Sequence, residues 1–166
     1  YDEQKAVNTW LETHFARSKA KAVFFTLKFH RKRPNPEPWT GSKSENSLGG
    51  AMSINEDYAE KLLSGFLNRL DRKYLSKRAL NKGIRLQRAV FRHKGISGEN
   101  VHFHGVVFCE GDAMEFLNNC KEIWKKLFSN NWVDVERSQF VITNSVSDSS
   151  YYSAREVFKL GAETSW

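Results

Sequence analysis

The stretch Val101-His102-Phe103-His104-Gly105 carries the most chemically specific spacing in the chain, two histidines separated by one apolar residue. On a β-strand, side chains two apart project from the same face, so the His102 and His104 imidazoles stand together while Val101, Phe103 and Val107 point the other way. Neutral imidazole is a common ligand for divalent metals, and open catalytic sites typically use three protein donors. Two candidates for the third lie in the same hairpin: His93, nine residues before His102, and Glu99, three residues before it. Two strands folded back on each other would lay His93 beside His102, which makes His93 the expected ligand and Glu99, in the turn, the fallback. An ion held by imidazoles with positions left open can polarise a phosphoryl oxygen, unlike a closed structural zinc.

The flanking patterns predict the elements that hold these groups. Residues 84–93 and 101–109 read as two strands joined by the turn-rich Lys94-Gly95-Ile96-Ser97-Gly98-Glu99-Asn100. Residues 23–29 alternate Val23, Phe25, Leu27 and Phe29 with Phe24, Thr26 and Lys28, mostly apolar on both faces as in a central strand. Residues 132–142 read as a fourth strand, polar in its first half. Helical spacing appears within residues 2–20 at Val7, Trp10, Leu11, His14 and Phe15. It recurs at Tyr58, Leu62, Leu63, Phe66, Leu70 and Tyr74 behind the cap Asn55, and at Ala113, Leu117, Cys120, Trp124 and Leu127 behind the cap Asp112. A last helix is expected over residues 147–160.

Between the first strand and the long helix, residues 34–53 hold all three prolines together with Gly41, Gly49 and Gly50. A loop of that length tends to be functional, and its Trp39 can either stack on a base or pin the loop to the domain. The order helix, strand, helix, strand, strand, helix, strand, helix predicts an α+β fold of the ferredoxin-like, split β-α-β kind, an antiparallel sheet with helices packed on one side. No repeat or second domain stands out. Residues 1–166 read as one domain, and the opening without Met is equally compatible with a piece of a longer protein.

At 166 residues, 40% hydrophobic and 13% aromatic, the chain is large and apolar enough to bury a core without staples and too apolar for a disordered tail. Its apolar runs, such as residues 22–25 and 106–109, fall far short of the roughly 20 residues that a membrane-crossing helix needs. Cys109 and Cys120 are the only cysteines and form no spaced framework, which predicts a reducing, intracellular setting, cytoplasmic or nuclear. A net charge of +7 favours an anionic partner, with nucleic acid first because the basic residues come with aromatics. Arg69, Arg72, Lys73, Lys77 and Arg78 could track a phosphate backbone or form a solvated helix face.

His102-Phe103-His104 on an apolar strand resembles the His-hydrophobic-His motif of the HUH endonucleases, the family of rolling-circle replication initiators, relaxases and single-strand transposases. Phe24-Phe25-Thr26-Leu27-Lys28-Phe29 resembles the family's first motif. Tyr152-Ser153-Ala154-Arg155-Glu156 resembles its third, a Tyr followed three residues later by Lys. Here Arg155 stands where Lys is usual, so the basic role falls to Arg155 or Lys159. The likeness spans residues 22–160, and the Tyr after the histidines is the order of replication initiators, whereas relaxases usually place it near the N-terminus.

The resemblance implies metal-dependent nicking and joining of single-stranded DNA, with Mg²⁺ or Mn²⁺ on His102, His104 and His93 and with Glu156 as a further fallback ligand. Tyr152 would be the nucleophile, leaving a 5′-phosphotyrosine and a free 3′-hydroxyl. On the expected helix Tyr151 shares the apolar stripe of Ala154 and Phe158, while Tyr152 shares a polar side with Arg155, Glu156 and Lys159. Family members that use two tyrosines keep Tyr151 in view. Arg31, Lys32, Arg33, Trp39, Arg85, Arg88 and Arg92 are the expected DNA contacts. Single-stranded DNA or a hairpin origin is the expected substrate, with a helicase domain or host replication proteins as partners and no membrane. No Gly-x-x-x-x-Gly-Lys loop occurs, so any unwinding motor lies outside this segment. The alternatives are a relaxase or transposase with the same chemistry, and a non-catalytic single-stranded nucleic-acid-binding module. The last would carry stacking aromatics where His102 and His104 stand and would be indifferent to metal.

Overall fold

The computed structural model describes residues 21–30, 54–94, 101–127, 132–144 and 164–165, with positions 6, 9, 10, 12, 13 and 16 near the start. Those six positions are helical, as the spacing over residues 2–20 predicts; the helix expected over residues 147–160 lies outside the described residues. Four strands, β1 (Ala22–Phe29), β2 (Arg88–His93), β3 (His102–Phe108) and β4 (Val133–Thr143), pair antiparallel. A two-residue β5 (Thr164–Ser165), absent from the sequence-based expectation, pairs with Val90 and Phe91 of β2, giving the order β4-β1-β3-β2-β5. The arrangement of the four long strands is the split β-α-β layout, with β1 and β3 central.

Three helices among the described residues connect and cover the sheet: α1 (Glu56–Tyr74), the short α2 (Lys77–Asn81) and α3 (Ala113–Lys126). Asn55 starts α1 by accepting hydrogen bonds from the Asp57 and Tyr58 amides, and Asp112 starts α3 by accepting one from Glu115. The stripe Ala59, Leu62, Leu63, Phe66, Leu67 and Leu70 of α1 packs on one sheet face together with Phe116, Leu117, Cys120 and Trp124 of α3. That face presents Val23, Phe25, Leu27, Phe29, Val90, Phe103 and Val107. Phe66 is central, with ring centroids 5.5 Å from Phe25 and 5.8 Å from Trp124. Burying each such side chain contributes about 1.5–3 kcal/mol. Gly105 is required by this packing: a Cβ there would lie 2.2 Å from Phe25 Cζ.

Two boundaries differ from the sequence-based reading. The long helix stops at Tyr74, and Ser76 caps α2 by accepting from the Ala79 amide. The strand expected from residue 84 begins only at Arg88, because the Leu86 amide donates to the buried carboxylate of Asp71 and Arg85 turns back onto the Leu80 and Ile84 carbonyls. In β4 the pairing to β1 slips between Thr26 and Lys28, so that Gln139 faces Thr26 but Asp134 faces Lys28. Residues 135–138 thus stand against Leu27 alone, a bulge in the ladder. Among the described residues, no helix is long and apolar enough to cross a membrane.

Candidate functional site

The face of the sheet opposite α1 and α3 takes the alternate residues of the same strands. Pairing places Lys28 of β1 and His93 of β2 on either side of His102, while Thr26 and Phe91 flank His104. Asp134 of β4 stands beyond Lys28, so Asp134, Lys28, His102 and His93 form one row across the strands. Cross-strand partners on one face are near enough to interact, which is why register alone gathers this set.

The three imidazoles lie together. Ring centroids are 4.5 Å apart for His93 and His102, 4.9 Å for His102 and His104, and 6.3 Å for His93 and His104. His93 is buried, and its ring contacts both other imidazoles. His104 is held from two sides: Phe24 stacks on it at 6.1 Å with planes 17° apart, and its Nδ1 lies 3.0 Å from Thr26 Oγ1. With Nδ1 engaged by the hydroxyl, Nε2 is the nitrogen that remains for a ligand. Burial pushes the His104 pKa down to about 3, helped by the neighbouring His102, His93 and Lys28. His104 is therefore neutral at physiological pH, the form that ligates metals.

Lys28 is half-buried and forms no ion pair among the described residues. The carboxylate across from it is committed elsewhere: Asp134 lies 3.7 Å from His30 Nδ1 and 3.6 Å from Arg137 Nε, and it accepts the Arg137 amide at 3.0 Å. The result is a cluster of nitrogen bases with an ammonium beside it, an environment that attracts an anion.

Three imidazoles make a donor set suited to a divalent ion. Among the described residues no set of three His, Cys, Asp or Glu groups is already gathered as a metal-holding group, so ligation requires the rings to turn about their side-chain torsions. Backbone register is in place and ring orientation is not.

Several expected residues do not join the imidazoles. Arg88 and Arg92 project to the helix-covered face, since each alternates with the buried Val90. Arg88 there donates to both oxygens of Asp71 at 2.8 and 2.9 Å, and Arg92 pairs with Glu60 at 2.6 Å. Arg85 precedes β2 at the far end of the sheet, 3.6 Å from the same Asp71. These three tie β2 and the residue stretch before it to α1. Arg31, Lys32, Arg33, Trp39, Glu99, Tyr151, Tyr152, Arg155, Glu156 and Lys159 lie outside the described residues.

Sequence reasoning passed over Thr26 and Lys28 as site residues. The signal was present, because both interrupt an otherwise apolar central strand on the face that pairs with the histidines. No protein-family model matches this chain, and no curated protein or solved structure matches it either.

Proposed function

We propose that this chain is a metal-dependent nicking and joining enzyme of the HUH type that acts on single-stranded DNA and initiates rolling-circle replication within the cell. The observation that carries the reading is the cross-strand cluster of His93, His102 and His104 with Lys28 beside it and His104 held neutral. A non-catalytic base-stacking module would expose aromatics on this face, whereas Phe24 and Phe91 are both buried there.

Mg²⁺ or Mn²⁺ on the three imidazoles would supply Lewis-acid polarisation of a phosphoryl oxygen, and a nitrogen-only donor set favours Mn²⁺ over the strongly oxygen-seeking Mg²⁺. Thr26 fixes the rotation of His104 through its hydroxyl, and Phe24 limits the ring's tilt. Lys28 neutralises charge on the phosphate that enters the row beside His102. The Tyr152 phenol loses its proton and its oxygen attacks phosphorus; the P–O3′ bond breaks, and the departing 3′-oxygen takes up a proton. One phosphodiester is exchanged for another, so the strand can be rejoined by the reverse step. Arg155 or Lys159 adds positive charge where the phenolate forms.

The experiment is incubation with 5′- and 3′-labelled single-stranded DNA and Mn²⁺, followed by denaturing electrophoresis. A boiling-resistant adduct that carries the 3′-side fragment, and that Tyr152→Phe abolishes, is the expected result. Absence of any adduct, with DNA binding unchanged by chelator, would overturn the proposal in favour of a binding module.

A further inference from the structure

Much of the chain's positive charge lies in one stretch that runs from α1 to the end of β2. Residues 61–94 hold eleven Lys and Arg against the single acid Asp71, a surplus of ten in a chain whose total is +7. The remainder of the chain is therefore net acidic. Within this stretch Arg88, Arg92 and Lys94 are paired with Asp71, Glu60 and Glu56. Arg69, Arg72, Lys73, Lys77, Arg78 and Lys82 are instead exposed and form no ion pair among the described residues. They occupy the end of α1, the corner at Ser76 and α2. This end is the far one from the imidazole row: the first turn of α1 lies by His93, where Glu56 meets Lys94, and the 19 residues of α1 span about 28 Å at the rise of an α-helix.

Folding physics explains only part of this charge. Arg72 and Lys73 in the last turn of α1 suit the negative end of its dipole. Lys77 does the opposite, since it opens α2, whose first turn holds no acid. A cation at a helix start is unfavourable by about 0.3–1 kcal/mol, so Lys77 serves something other than the helix.

From this we infer that the surface formed by the end of α1 and by α2 docks the phosphate backbone of double-stranded DNA. Three observations select the duplex. A single strand is held by base stacking, and the one aromatic from Arg69 to Arg85 is Tyr74, which packs on Phe116 at 4.6 Å and accepts a hydrogen bond from Asn119. A membrane surface needs an apolar face beside the charge, and the one exposed large apolar side chain here is Ile84. A group of long, exposed cations with polar neighbours suits phosphates presented at regular spacing. Choosing DNA as the polyanion rests on the proposed function; the location of the surface rests on charge and exposure alone.

The test is fluorescence anisotropy of a labelled DNA duplex from about 50 to 200 mM salt, comparing the full chain with the triple variant Lys73→Glu, Lys77→Glu, Arg78→Glu and with its Gln counterpart. Duplex affinity is expected to fall at least tenfold in the Glu variant and less in the Gln variant. The log–log salt slope should drop by about 0.9 for each phosphate that the variant no longer neutralises. Adduct formation on a free single strand should be unchanged, which also shows that both variants are folded. Equal duplex affinity and slope in all three proteins would overturn the inference. So would phosphatidylserine vesicles binding through these residues while duplex does not compete. Loss of the covalent adduct reaction in every protein, with duplex binding still dependent on the three cations, would sink the proposed activity and support this surface.

Discussion

On one face of the sheet Phe25, Leu27, Phe103 and Val107 are sealed beneath α1 and α3; on the other, one residue along the same strands, stand Thr26, Lys28, His102 and His104. The first set is fully buried and chemically inert, and its members are held by shape. The second is gathered by strand register and one hydroxyl contact, and it concentrates nitrogen bases. The alternation of a β-strand thus lets neighbouring residues serve unrelated ends: substitutions on one face should cost stability, and those on the other should cost chemistry.

Breaking the polar face should have the largest effect on activity. His102→Asn is expected to lower the rate of adduct formation by about 1,000-fold while moving the melting temperature by less than about 4 °C, checked by single-turnover nicking and circular dichroism. The mirror experiment is Phe103→Ala, which leaves a void beside Phe29; it should cost about 3–5 kcal/mol in urea unfolding, with the folded fraction still binding Mn²⁺. Lys28→Gln should slow single-turnover nicking by about 100-fold with stability unchanged, and a rate equal to wild type would remove Lys28 from the site.

Two smaller effects sharpen the boundary between the faces. Gly105→Ala drives a methyl group into the Phe25 ring and should cost about 1–3 kcal/mol, and adding Phe25→Leu should recover part of it in a double-mutant cycle. Acidification tests the other side. The folded-state pKa of His104 is lowered to about 3, against about 6.5 when unfolded, so between those values the unfolded chain binds a proton that the folded chain refuses. Stability from this group is complete above about pH 6.5 and declines as pH falls toward 3, so the melting temperature should drop more steeply with acid in wild type than in His104→Asn.

The regular parts of this architecture were legible because they rest on periodicity. Alternation in β1 and β3, the caps Asn55 and Asp112, and the placing of His93 opposite His102 all follow from local spacing. What escaped was set by partners distant in sequence. The late start of β2 depends on Asp71 capturing the Leu86 amide, and the slip in β4 places Asp134 opposite Lys28 where an unbroken ladder would not. The carboxylate partners of Arg88 and Arg92 escaped for the same reason, because they lie on α1. Thr26 and Lys28 were visible as polar positions, but pairing them with the histidines needed strand order as well as strand identity.

Asp71 has a consequence for how this molecule can diverge. Its backbone carbonyl accepts the Leu75 amide, and its side chain accepts both the Leu86 amide and the Arg88 guanidinium. One residue thus clamps the chain on either side of residues 76–85. A segment fastened at both ends in this way works as an exchangeable cassette, which can be lengthened or rewritten while the strand register that gathers the imidazoles stays as it is. Variation in residues 76–85 is thereby uncoupled from the pairing of the strands, and a lineage could rewrite this segment without rebuilding its imidazole cluster.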